Sequence, residues 1–433
     1  MRCVLAVLLM STSFAFAQRP TVEELQSLSV ADFETSMTSA AGERALFAEE
    51  MAGLHEKIAN PTEKLRGIFW TAALFNREKD TVRGPLFELL PSIAQQPPQV
   101  QSSYLTGAHA LFPTDAAPVL RGVLPALTAP REFAIAAYTI LAADDTEPTR
   151  TAIISTITDR FPDWAKEPRL IALEHRLRVD PREEIKQRPP LADLFANPPK
   201  PGVPVIYSLQ RLNRKQMGLA VVLGPDGRFV RTPSGAFFNI PHLAMARTNL
   251  PGTITNGNTP QGVFVIRGAG TATNKWIGPT PYLHSMLPFE AETGAFALGD
   301  GSEPWTLPLY LGYLPPTWRD YIPMREAFLA GDAGRSEILL HGTTINPEYY
   351  RGETYYPGTP SAGCLVASEF WSKEDGQLVH SDQLFLVKAF ISGGQDDGYL
   401  VVVNLDVEEA PVSLSNIVDA MVAAEALLAP KGS

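Results

Sequence analysis

The chain has two cysteines, Cys3 and Cys364, in 433 residues. Cys364 closes the small-residue run Ser361-Ala362-Gly363-Cys364, and His341 opens His341-Gly342-Thr343 after the apolar stretch Ile338-Leu339-Leu340. A thiolate attacks a carbonyl far better than a thiol, so a cysteine that performs acyl chemistry needs an imidazole to take its proton. Cys364 is the candidate nucleophile, and His341 the candidate base and later acid. Gly363 and Ala362 carry little or no side chain, which lets the loop turn N–H groups toward an oxyanion, with the amides of Gly363 and Cys364 as candidate donors. Each piece also has a plainer reading. Free Cys usually behaves as a small buried hydrophobe, a strand-end His is often satisfied in the core, and a small-residue loop can be a tight turn. No paired His or Cys spacing of the usual metal-ligand kind occurs, so neither a metal nor a cofactor is expected.

The elements that must position these residues fall into two halves. From about Thr21 to Arg178 the chain is rich in Ala, Leu and Glu at helical spacing, broken at Asn60-Pro61, Gln96-Pro97-Pro98, Pro113-Thr114-Asp115 and Asp144-Asp145. Thr71-Ala72-Ala73-Leu74-Phe75 echoes Ala108-His109-Ala110-Leu111-Phe112, and Val82-Arg83-Gly84 echoes Leu120-Arg121-Gly122. These offsets are close to the ~40 residues of a HEAT-like two-helix repeat, although Ala/Leu-rich helices also resemble one another by composition alone. His55 and His109 sit in these helices and read as packing or surface residues. Seven prolines lie between Pro181 and Pro204, which favours an extended connector over 181–203. Beyond it come short β-branched runs, among them Val203-Pro204-Val205-Ile206-Tyr207, Leu219-Ala220-Val221-Val222-Leu223 and Tyr399-Leu400-Val401-Val402-Val403. The expected order is an export signal at 1–17, a helical domain at 18–180, the connector, a mainly β domain at 204–407, and a helical tail at 408–433.

The signal reading rests on Arg2, the apolar run Val4 to Met10, and the small-x-small site Ala15-Phe16-Ala17. Its removal leaves Cys364 as the lone thiol. An oxidising compartment punishes a free thiol, so one that persists there calls for a reason. No stretch offers the ~18–20 apolar residues of a membrane-spanning helix. A net charge of −11 without any basic run excludes a nucleic-acid partner.

A third motif joins the first two. Thr259-Pro260-Gln261-Gly262 leads into Val263-Phe264-Val265-Ile266, and singly it is ordinary turn chemistry. In this order the TPxG turn, the strand-end HG and the SxGC loop resemble the YkuD-type L,D-transpeptidase catalytic domain over roughly Pro204 to Leu405. The resemblance implies a periplasmic or otherwise exported cysteine acyltransferase of cell-wall biogenesis. Its partners would be peptidoglycan stem peptides, and the helices could receive an envelope protein. Cys364 would attack the carbonyl of the third stem residue, expel the terminal D-amino acid and hold a thioester, and a backbone carbonyl would orient His341. Cys364, His341, Gly363 and Ser361 would be catalytic; Tyr282, Gly342, Thr343 and Ala362 would contact substrate. The family often has His where this chain has Ala362, and Arg where it has Val366, which leaves recognition of the donor carboxylate without its usual cation. Arg351 and Arg267 could replace it from other loops, with an ordinary surface role the plainer reading of either. The aromatic stretch Tyr349, Tyr350, Tyr355 and Tyr356 reads either as a groove lining or as a packed loop. An L,D-carboxypeptidase or amidase on the same fold, or an inactive wall-binding module, are the competing functions.

Overall fold

A computed structural model describes residues 20–35, 64–77, 79–274 and 277–429, with 42, 45, 48 and 49 as single positions. The expected export signal, Cys3 and His55 lie outside the described residues. A helical region is followed by a β domain. Helices Lys64–Leu74, Pro98–Leu111, Pro130–Ala143 and Pro168–Arg178 pack one upon the next, and Lys79–Leu89, Pro113–Val123 and Glu147–Arg160 alternate with them along the chain. Pro98, Pro113, Pro130 and Pro168 each open their helix, where the missing N–H has no intrahelical acceptor to lose. Every residue from Glu132 to Leu141 is buried, because Ala134, Ala136 and Ala137 let neighbours approach on more than one side.

Strands β1 (Val205–Gln210), β2 (Gly218–Leu223), β3 (Ile240–Leu243), β4 (Gly262–Thr271), β5 (Pro281–Met286), β6 (Leu339–His341), β7 (Leu365–Ala367) and β10 (Asp397–Asn404) close a barrel. Its order is β1-β10-β4-β5-β6-β7-β3-β2. β8 (Glu369–Trp371) and β9 (Leu378–Ser381) form a separate hairpin. Two pairs are parallel, β1 with β10 and β6 with β7. Closure removes exposed strand edges. β1 and β2 are buried at every residue, which is why they read as continuous apolar runs instead of alternating ones.

The segment 181–203, expected to be an extended connector, is folded. Pro181–Glu184 and Leu191–Ala196 are helical, and Leu191, Leu194 and Phe195 join the barrel's own core, with the Phe195 ring 4.7 Å from that of Tyr207. Leu191–Ala196 also packs on the C-terminal helix Val418–Leu428. The two halves share buried clusters as well. Leu250 and Ile254 belong to the helical core, while Leu74 and Phe75 pack with Leu243, Met245, Ile345, Tyr350 and Tyr355. Polar ties reinforce this seam: the Tyr350 hydroxyl donates to the Leu74 carbonyl, and Arg247 donates to the Ala73 carbonyl and, at 3.0 Å, to Asn76. Tyr350 and Tyr355 are therefore packing residues that lock helices to barrel.

Candidate active site

β6 and β7 run parallel with Leu340 opposite Leu365 and His341 opposite Val366. Side chains alternate along a strand, so Leu340 and Leu365 enter the barrel core while Leu339, His341, Val366 and Cys364 face the other way. The half-buried Cys364 packs with Tyr282 on the cluster Ala272, Ile277 and Leu339. Its sulfur accepts from the Leu339 N–H at 3.3 Å, and its thiol reaches the Glu337 carbonyl at 3.5 Å. His341 is 4% exposed. A carbonyl only accepts, so Nδ1 is the protonated nitrogen in its bond to the Gly342 carbonyl. This leaves Nε2 unprotonated, as a base requires.

The loop 361–364 is braced from three sides. Ser361 Oγ donates to the Cys364 carbonyl at 2.8 Å and accepts from the Gly363 N–H at 2.9 Å. Thr259 of the TPxG turn donates to the Gly363 carbonyl at 2.9 Å. The Gly363 amide is thus occupied, a correction to its expected place as an oxyanion donor. Of the two candidates, the Cys364 amide is the one that remains. Gly363 has φ 124°, and a Cβ there would lie 2.1 Å from Arg335 and 2.5 Å from the Gly257 carbonyl, so no other residue fits. Gly342 is fixed by close approach instead: a Cβ would fall 1.9 Å from the Glu369 carboxyl carbon. Thr343 is buried, with its hydroxyl accepting from the Ile345 N–H and its carbonyl from the Trp371 indole, whereas Ala362 is exposed. Val366 is buried between His341 and Leu243 in register. Arg351 pairs with Glu348 and Arg267 with Asp397, so both have partners elsewhere.

Three further residues complete the surroundings. Arg335, 4% exposed, donates to the carbonyls of Asn258 (2.6 Å), Gly257 (2.6 Å), Gly252 and Gly363 (3.4 Å), stitching the 252–258 loop to the nucleophile loop. It is a cation beside the thiol, within the support of the loop that carries Cys364. Glu369 sits beneath Gly342, accepting from Ser381 Oγ at 2.7 Å, and burial pushes its carboxyl up to about 8. His242 lies buried on β3 with Nδ1 3.0 Å from Ser208 Oγ; burial, and then the nearby His341, bring it down to about 3. Nothing in the sequence marks Arg335 or Glu369. His242 did carry a signal, since alternation in Ile240-Pro241-His242-Leu243 sets it on the core face with Ile240.

Burial keeps the proposed reacting pair neutral. It lowers His341 to about 4, against the opposing Gly342 bond, and it raises the Cys364 thiol to about 11, against the Leu339 N–H and Arg335. Three buried histidines have lowered values: His341 and His109 near 4 and His242 near 3. Each contributes stability that is full above the unfolded value of ~6.5 and is lost as pH falls toward the folded one. Glu369 has the opposite sign, its stabilisation being full below the carboxylate's unfolded value and lost as pH rises through about 8. Over these four groups the unfolded chain binds a growing excess of protons below pH ~6.5, reaching a net of about two near pH ~5, where acidification costs roughly 2–3 kcal/mol per pH unit. Urea unfolding at pH 7, 6 and 5 should show the midpoint dropping steeply; a flat profile would mean that these groups titrate in the folded protein.

Among the described residues no group of His, Cys, Asp or Glu is arranged to hold a metal ion. No family model, no curated protein and no solved structure matches the chain.

Proposed function

We propose that the protein is an exported L,D-transpeptidase that acts on peptidoglycan stem peptides through a thioester on Cys364. One observation carries the reading: Cys364, which immediately precedes β7, accepts through its sulfur from the N–H of Leu339, two residues before His341 on the neighbouring parallel strand β6, and His341 Nδ1 is tied to a backbone carbonyl, which leaves Nε2 as the base. As Sγ attacks the carbonyl of the third stem residue, His341 Nε2 takes the thiol proton. The C–N bond then breaks, the imidazolium returns that proton to the departing amine of the D-amino acid, and the acyl group stays on sulfur. An acceptor amine resolves the thioester with the same imidazole as base. The Cys364 N–H is the donor available to the oxyanion, and Tyr282, on the cluster that carries Cys364, forms the wall over the acyl group. The stacked helices support a HEAT-like array. Among the described residues no helix is long and apolar enough to cross a membrane.

Hydrolysis of the same thioester would make the protein an L,D-carboxypeptidase, and the absence of the family's His and Arg at Ala362 and Val366 keeps that outcome distinct. Mass analysis of purified tetrapeptide muropeptides incubated with the protein separates these readings. Cross-linked dimers with release of the terminal D-amino acid are expected. Tripeptides alone would indicate hydrolysis, and unchanged muropeptides would overturn the enzymatic reading.

A further inference from the structure

The hairpin of β8 and β9 rests its inner face on the segment that follows the candidate base. Along β8, Glu369 is buried and Trp371 half-buried, whereas Phe370 between them is exposed. Trp371 Nε1 donates to the Thr343 carbonyl at 3.1 Å. Glu369 takes the preceding peptide. A Cβ at Gly342 would lie 1.9 Å from its carboxyl carbon and 2.2 Å from each carboxyl oxygen, so the face of the carboxyl group lies against the glycine. The Gly342 carbonyl is in turn the acceptor of His341 Nδ1. One peptide therefore separates a carboxyl group from the imidazole.

The carboxyl is held firmly at one oxygen. Register places Ser381 opposite Glu369. The Ser381 hydroxyl donates to Oε1 at 2.7 Å and accepts from the Leu384 N–H at 2.9 Å, as the cap of helix Asp382–Phe390. Among the described residues Oε2 is buried without a hydrogen-bond partner. The Thr280 hydroxyl and the Trp371 indole lie near enough to ease ionisation but not to offset burial, and the Asp382 carboxylate, 2.9 Å from His380 Nε2, opposes it. A buried oxygen with no cation paired to it favours the protonated acid at neutral pH, and the change of charge falls near pH 8. The two forms act differently on the ring beyond the peptide. Either one holds the Gly342 peptide in place, but only the carboxylate favours positive charge on His341.

We propose that Glu369 is a positioning residue for the base: it braces the Gly342 peptide that orients His341 and, once ionised, stabilises the imidazolium formed as Cys364 attacks. This rests on the reading of His341 as the base, but its first test observes the imidazole directly and needs no turnover. Full-length protein labelled with ¹³C-histidine is titrated by NMR from about pH 6.5 to 9.5, with the His341 signal identified by its loss in His341→Gln. The signal is expected to inflect near pH 8 in the parent and to stay flat in Glu369→Gln, which keeps the shape of the neutral acid without its charge. Ser381→Ala removes a hydrogen bond that favours the carboxylate, so it should move the inflection upward. A second reading is acylation by a carbapenem: the ratio of parent to Glu369→Gln rates should rise about tenfold between pH 7 and pH 9, since a nearby opposite charge is worth about one pKa unit or more. A parent signal without an inflection, an inflection that survives in folded Glu369→Gln, or a rate ratio independent of pH overturns the proposal. If Glu369→Gln fails to fold, Ser381→Ala decides, and an unmoved inflection overturns it. Muropeptide turnover without the inflection would remove the role of Glu369 and leave the acyl-transfer reading standing. The inflection without turnover would keep the coupling and remove that reading.

Discussion

Cys364→Ala is expected to abolish both muropeptide turnover and covalent labelling by a carbapenem, while shifting the unfolding free energy by only about 1 kcal/mol. The thiol is half-buried on a small cluster, and its loop is held through backbone atoms and the side chains of Ser361, Thr259 and Arg335, so removing one sulfur leaves the scaffold in place. His341→Ala should slow acylation by about 10²–10⁴-fold, the usual worth of a general base. Because burial holds the thiol near 11, reaction of parent protein with a small alkylating agent should keep accelerating above pH ~8.5, where an ordinary thiol levels off. Labelling that survives Cys364→Ala would remove the nucleophile assignment. A thiol that levels off near neutral pH would show instead that the resting pair is ionised.

A fragment beginning at Pro201 should not fold. It would lose Leu191, Leu194 and Phe195 from the barrel core and uncover Leu243, Met245, Leu250 and Ile254 together with Tyr350 and Tyr355. Each fully buried apolar side chain contributes about 1.5–3 kcal/mol, so the loss from this set reaches or exceeds the roughly 5–15 kcal/mol that hold an ordinary domain folded. Circular dichroism and a denaturant titration decide the matter. A soluble fragment with a cooperative transition would show that the seam between helices and barrel is dispensable, and would restore the connector boundary.

That boundary was misread for an identifiable reason. Proline favours both extended connectors and the first turn of helices, and this chain uses it repeatedly for the second purpose, at Pro98, Pro113, Pro130, Pro168 and again Pro181. The helical and β halves were legible because period and residue type changed together near Val203. The Thr259 turn, the strand-end position of His341 and the tight loop before Cys364 were legible because turn and strand-end signals sit in short local motifs. Arg335 and Glu369 were not, since what distinguishes them is burial beside backbone carbonyls and beneath Gly342, and burial of a charged residue has no local signature. The Gly363 amide was misassigned because the hydroxyl that occupies it, two residues earlier in the chain, can equally point to solvent.

A thiol held neutral at rest also bears on how the protein meets oxidants. Peroxide and disulfides react with thiolate, and at pH 7 a thiol near 11 is ionised only about one part in 10⁴, against a few per cent for an ordinary cysteine. On the proposed mechanism, the sulfur is a slow target for oxidants until a substrate carbonyl arrives and His341 takes its proton. In that scheme durability and reactivity are separated in time.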